Sequence, residues 1–126
     1  MGWNDYRYQY EPCLYGWKGK SHKFYGDRTN TNIWNIARDN VNSYQHITQK
    51  PVALANKALN NSTRENEICL DLFGGSGSTM VACHQINRIC YMNELEPKYC
   101  QVIIDRMRKL DPDIVIKKNG KPYDKK

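Results

Sequence analysis

Polar and apolar positions alternate at the start of the chain, where Tyr6, Tyr8 and Tyr10 are interleaved with Arg7, Gln9 and Glu11. That period of two predicts a half-buried strand. Short, less regular extended pieces follow as far as about Tyr44, in a stretch rich in Tyr, Trp, Asn and Gly. From His46 the pattern becomes regular. Pro51 opens a run in which Val52, Ala55 and Leu59 share one face, which predicts a helix with proline in its first turn, stopping near Asn60 and Asn61. EICLDLF (Glu67 to Phe73) has the short apolar character of a buried strand. Ser78 to about Gln85 reads as a helix, RICYMNEL (Arg88 to Leu95) as a second buried strand, and Pro97 to Leu110 as an amphipathic helix. On that last helix Tyr99, Val102, Ile103, Met107 and Leu110 form the apolar stripe, while Arg106, Arg108 and Lys109 sit where cations favour a helix C-terminus. Strand, glycine-rich turn, helix and strand make a βαβ unit, so the fold class is α/β with a parallel sheet.

Composition narrows what this unit can be. A chain of 126 residues, 40% hydrophobic and 25% charged, supports one domain around one core. No apolar run reaches the length of a membrane span, and the N-terminus (MGWNDYRYQY) lacks the basic-then-apolar layout of a secretory signal. A soluble cytoplasmic protein with no membrane partner is expected. Cys13, Cys69, Cys83, Cys90 and Cys100 form no CxxC pair and lie mostly among apolar residues, which reads as small buried thiols. Cys83 and His84 are adjacent, but no further ligand stands at a metal-site spacing, so no metal is expected. The net charge of +6 suits a polyanionic partner, although much of the excess lies in IKKNGKPYDKK, which reads as a solvated tail. A second basic group, WKGKSHKFYGDR, interleaves Lys18, Lys20, Lys23 and Arg28 with Trp17, Phe24 and Tyr25. Aromatics among cations suit nucleic-acid contact; an ordinary surface loop has the same texture.

The candidate chemistry lies in DLFGGSGST (Asp71 to Thr79). In a βαβ unit the turn after the first strand sits at the carboxyl edge of the sheet, where ligands bind. Gly74, Gly75 and Gly77 remove side chains that would hold a ligand away, although glycines there serve equally well to pack the helix close to the sheet. Glu94, about twenty residues on at the end of the second strand, adds a function. A carboxylate there can accept both hydroxyls of a ribose, together roughly 2–5 kcal/mol in a partly dry site. Dinucleotide and Walker-type phosphate sites fit less well, because Met80 stands at the third glycine position of GxGxxG and Ser78 where a Walker loop has lysine. An acid at Asp71 points instead to a ligand with a cationic amine, and S-adenosylmethionine carries both an amine and a ribose.

DLFGGSGST resembles the D-P-F-x-G-S-G-S/T motif of the DNA amino-methyltransferases, which methylate the exocyclic amine of adenine or cytosine. HITQKP (His46 to Pro51) is similar to the H-P-T-Q-K-P motif of the circularly permuted β-type members, RICYMNELEPKYC (Arg88 to Cys100) to their R-x-x-x-G-x-E-x-D-P-x-Y segment, and EPCLYGWK (Glu11 to Lys18) to the segment before the target-recognition region. The resemblance implies a Rossmann-like methyltransferase fold that binds S-adenosylmethionine. Asp71 would take the amine of the methionine part, with Phe73, Gly74, Gly75, Ser76, Gly77, Ser78 and Thr79 lining the site. Glu94 would hold the ribose and Leu95 lie against the adenine ring. Thr48, Gln49, Lys50 and Pro51 would close over the methionine end, Lys50 pairing with its carboxylate. Three residues depart from the pattern: Ile47 and Leu72 stand in place of prolines, and Met92 stands in place of a glycine, where it would narrow the cofactor pocket.

The family's chemistry also needs an (Asp/Asn/Ser)-Pro-Pro-(Tyr/Phe/Trp) loop that engages the flipped base. The prolines of this chain, Pro12, Pro51, Pro97, Pro112 and Pro122, include no adjacent pair. The resemblance therefore implies a C-terminal portion with no catalytic residue of its own and an incomplete parallel sheet. Residues 1–45 would be the end of the catalytic region with a shortened recognition segment, and 46–126 the cofactor-binding βαβ portion. Double-stranded DNA is the implied partner, contacted by Lys18, Lys20, Lys23 and Arg28. The unpaired strand edge left by the absent part predicts self-association, strand exchange or a complementary N-terminal half. A non-catalytic remnant that binds DNA or a partner protein is the alternative, and a nucleotide-binding oxidoreductase fragment a more distant one.

Overall fold

A computed structural model describes residues 5, 6, 8–37 and 49–123. Its order is α1 (Val52–Ser62), β1 (Ile68–Asp71), α2 (Ser78–Gln85), β2 (Ile89–Met92), α3 (Pro97–Leu110), β3 (Lys117–Lys118) and β4 (Lys121–Pro122). Pro51 stands just before α1 with φ −59°, and the helix ends where Thr63 turns extended and its N–H bonds the Leu59 carbonyl at 2.7 Å. Pro97 opens α3, which closes with the Asp111 N–H on the Met107 carbonyl at 2.9 Å. β1 and β2 run parallel, pairing Ile68 with Ile89, Cys69 with Cys90, Leu70 with Tyr91 and Asp71 with Met92. Among the described residues neither strand has another neighbour in the sheet.

The core lies between the helices and one face of this sheet. Leu59 of α1 and Ala82 and Cys83 of α2 pack with Cys69 and Cys90, while Val81, Ile103 and Met107 pack with Met92. The opposite face is bare: Ile68, Leu70, Ile89 and Tyr91 are 46–65% exposed. Both segments were expected to be buried strands, and they are half-buried on one side and exposed on the other. Their apolar sequence suits a parallel sheet covered on both faces, but the described chain places helices on one.

The N-terminal expectation fails outright. Tyr8 and Tyr10 lie in irregular chain, and Tyr6, Tyr8 and Tyr10 are 71–88% exposed; among the described residues no strand runs beside them to complete a ladder. The later extended pieces also lack strand structure as far as residue 37, and residues 38–48 lie outside the described residues. This segment is instead held against α1. The Tyr25 N–H bonds the Asn61 carbonyl at 2.8 Å, Arg64 lies over the Tyr25 ring at 4.5 Å and Lys57 over the Trp34 ring at 5.0 Å.

Residues 116–123, read as part of a solvated tail, fold into an antiparallel hairpin. Asn119 and Gly120 adopt φ values of 52° and 77° at its tip, the conformation that an Asn-Gly pair favours. Arg108 ties the hairpin down by donating to the Tyr123 carbonyl and lying over its ring at 5.6 Å, so it does more than balance the dipole of α3.

Cys83 is buried, Cys69, Cys90 and Cys100 are half-buried and Cys13 is exposed, which departs from the expectation of small buried thiols. Burial, reinforced by neighbouring thiols, pushes Cys69 and Cys83 from the ordinary 9.0 up to about 11 and raises Cys90 as well. A disulfide-exchange reagent at pH 8 should therefore label Cys13 quickly and these three only on unfolding; equal labelling rates would show that the helix–sheet core is open. The sign of the pH effect follows from the same shifts. Between pH 9 and about 11 the unfolded chain gives up these protons first, so stability falls across that window.

Candidate functional site

The site is built where β1 and β2 end side by side. Two further backbone bonds carry the pairing past the strands, Asn93 N–H to the Asp71 carbonyl and Gly74 N–H to the Asn93 carbonyl, each 2.8 Å. The turn then closes on itself through the Gly77 N–H and the Gly74 carbonyl at 2.8 Å, and α2 begins.

The three glycines do different work. A Cβ on Gly74 would stand 2.6 Å from Met92 Cγ and Sδ, and one on Gly77 2.9 Å from Ile103 Cγ1. These two let β2 and α3 press against the turn. Gly75, at φ +54°, has only the Phe73 carbonyl within 4 Å of such an atom, at 3.9 Å. Here alone the space in front of the backbone is open. Met92, expected to narrow the pocket, faces the helix layer and fills the room beside Gly74.

Both predicted acids converge on the turn. Glu94 Oε2 accepts the Gly75 N–H at 2.6 Å and Glu94 Oε1 accepts the Glu96 N–H at 2.9 Å, so one carboxylate bridges the turn and the start of α3. Asp71 Oδ1 accepts the Phe73 N–H at 3.0 Å. An amide that a phosphate would otherwise use is thus occupied by the chain's own anion, and two carboxylates at one sheet edge repel phosphate. They favour hydroxyl and ammonium donors instead. Phe73 and Leu95, 89% and 88% exposed, stand beside them as large apolar surfaces.

The segment before α1 also reaches the turn. Ser78 Oγ donates to the Lys50 carbonyl at 2.7 Å, which brings Gln49, Lys50 and Pro51 beside the start of α2; Thr79 lies half-buried in its first turn. The Lys50 ammonium pairs with Glu11 of the N-terminal segment. Thr48, His46 and Ile47 lie outside the described residues. Ser76 is buried, and behind it is a side chain that the sequence reading missed. Arg106 Nη1 donates to the Ser76 carbonyl at 3.1 Å, to Ser76 Oγ at 3.4 Å and to Ser78 Oγ at 3.3 Å. Its position beside Ile103 and Met107 on the apolar stripe was the available signal, because a cation with only solvent to meet has no reason to sit at that boundary.

Lys18, Lys20, Lys23 and Arg28 remain exposed along the irregular N-terminal segment, with Trp17 stacked on His22 at 4.1 Å and Tyr15 within 6 Å of both rings. An open cleft of about 550 Å³ lined by Glu65, Asn66, His84, Asn87, Arg88 and Ile89 lies at the opposite, amino edge of β2 and contains none of the expected site residues. No described helix is long and apolar enough to cross a membrane.

A family model for DNA methylases matches residues 4–105. The type II methyltransferase M.HinfI of Haemophilus influenzae is 27% identical over 95 residues, covering 69% of this chain and 26% of that protein. M2.MboI of Moraxella bovis, also a type II methyltransferase, is 30% identical over 95 residues, 71% of this chain and 34% of its own length. The crystal structure of the M1.HpyAVI–SAM complex superposes with a TM-score of 0.57 at 30% identity, over 67% of this chain and 43% of that one. The chain therefore spans about a quarter to a third of the curated relatives it matches, and its two parallel strands and their helices are an incomplete Rossmann-like methyltransferase fold.

Proposed function

The chain belongs to the N6/N4 DNA methylase family, and from that premise we propose that it forms the S-adenosylmethionine-binding part of a DNA amino-methyltransferase. The observation that carries this reading is the Glu94 carboxylate, held by two backbone amides beside the one open glycine of the turn. A carboxylate offers about four acceptor positions, so it can hold backbone amides and ribose hydroxyls together. Asp71 would meet the methionine amine, Phe73 and Leu95 would cover the flat parts of the ligand, and the Gln49–Pro51 segment would close its methionine end. The bound cofactor would supply an electrophilic methyl group; this chain's own residues would bind and orient it. Residues 46–126 carry that role, and residues 1–45 the remainder of the catalytic and recognition regions, where Lys18, Lys20, Lys23 and Arg28 would contact duplex DNA.

Methyl transfer would then need the Pro-Pro loop from a further stretch of polypeptide. The bare sheet face and the two open strand edges support such a partner, a complementary half of the fold or another copy.

Titration calorimetry with S-adenosylmethionine tests the cofactor reading. The wild-type chain is expected to bind, and Glu94→Gln to bind about 10- to 100-fold more weakly, the order for loss of a charge-assisted hydrogen bond of roughly 1.5–3 kcal/mol. Duplex DNA binding without any cofactor response would favour the non-catalytic remnant instead.

A further inference from the structure

The helix α3 touches the glycine turn at two successive places, and they differ in kind. Ile103 fills the space beside Gly77, a contact without direction. One turn further on, Arg106 reaches the Ser76 carbonyl and the hydroxyls of Ser76 and Ser78 with a single nitrogen. A guanidinium has only N–H donors, and a hydroxyl has one proton. The oxygen of Ser78 must therefore act as acceptor toward Arg106, which leaves its proton for the Lys50 carbonyl 2.7 Å away.

We propose that Arg106 is a positioning residue of the cofactor site. By fixing the direction of the Ser78 proton it staples the Gln49–Pro51 segment across the turn. It thereby sets the methionine side of the seat while Glu94 sets the ribose side. The inference rests on the reading that this site takes S-adenosylmethionine. It assigns a role in binding to a residue of α3 that meets the turn at Ser76 and Ser78.

Two ligands separate this role from a general loss of structure. In calorimetry, Arg106→Gln and Ser78→Ala should each weaken S-adenosylmethionine about 10-fold, the order for one lost hydrogen bond. Both should leave adenosine, which lacks the methionine part, at wild-type affinity. Because the two residues act through one proton, the double variant should bind no more weakly than either single variant. Arg106→Lys, which keeps a donor but not the fork, should recover part of the loss. Melting followed by circular dichroism shows whether each variant is folded. The inference is overturned if Arg106→Gln binds S-adenosylmethionine as the wild type does, or if it loses both ligands equally. A wild-type chain that binds neither ligand overturns the cofactor reading and this inference with it, whereas wild-type binding with an unchanged Arg106→Gln overturns the inference alone.

Discussion

Purified alone, the chain is expected to sediment as assemblies that grow with concentration, and the pair Leu70→Lys with Tyr91→Glu to return it to a monomer. The force is the uncovered sheet face. Ile68, Leu70, Ile89 and Tyr91 form two cross-strand pairs on it, and Leu72 and Phe73 continue the apolar surface past β1. Side chains of this size that are still half exposed have roughly 1 kcal/mol each to gain from further burial, several together. The outer edges of β1 and β2, which have no further strand beside them among the described residues, add amides and carbonyls that recruit other strands. The substitutions act on this face alone, because Cys69, Cys90 and Met92 hold the helices on the other. Lys and Glu at directly opposed positions also support the pairing of the two strands. Analytical ultracentrifugation over a range of concentrations checks the outcome. A wild-type chain that is monomeric and melts in one sharp transition would mean that the face is tolerated bare and needs no partner.

The same face shows where sequence reading reaches its limit. α2 and α3 were legible to the residue because their signals are local: a glycine turn before Ser78, and Pro97 ahead of a regular apolar stripe. The meeting of Glu94 with the glycine turn was legible because strand pairing in a βαβ unit fixes it. EICLDLF and RICYMNEL were correctly read as strands. Their burial was misjudged, because burial depends on what lies opposite, and the described chain has nothing there. Tyr6, Tyr8 and Tyr10 have a strand's period, but among the described residues no neighbouring strand pairs with them. The hairpin was signalled by Asn119-Gly120, and the surrounding lysines hid it by suggesting a solvated tail. Arg106 was hidden by its helix, where a guanidinium nitrogen shared among three acceptors of the turn looks in sequence like one more cation near a C-terminus.

Gly77→Ala is expected to cost more stability than Gly74→Ala or Gly75→Ala, and Gly75→Ala to cost the most ligand affinity. At Gly77 two penalties combine. A φ of +80° disfavours any L side chain by about 1–2 kcal/mol. The methyl group would also stand 2.9 Å from Ile103 Cγ1, an overpacking worth roughly 1–3 kcal/mol. Ile103→Ala removes the second penalty and not the first, so repair there should be partial. At Gly74 the main obstacle is the Met92 side chain at 2.6 Å, an adaptable thioether that can swing aside at a smaller cost. Met92→Gly should therefore restore most of what Gly74→Ala loses, a coupling that urea unfolding of the four variants measures as a double-mutant cycle. Gly75 faces open space at φ +54°, so its methyl group meets strain but no neighbour. It projects instead where the proposed ligand would lie, and calorimetry should register a loss of affinity beyond the strain that unfolding records. If Gly75→Ala binds S-adenosylmethionine as tightly as the wild type, the ligand does not pass in front of that backbone. If Gly74→Ala is as stable as the wild type with Met92 in place, the methionine of β2 does not press on the turn.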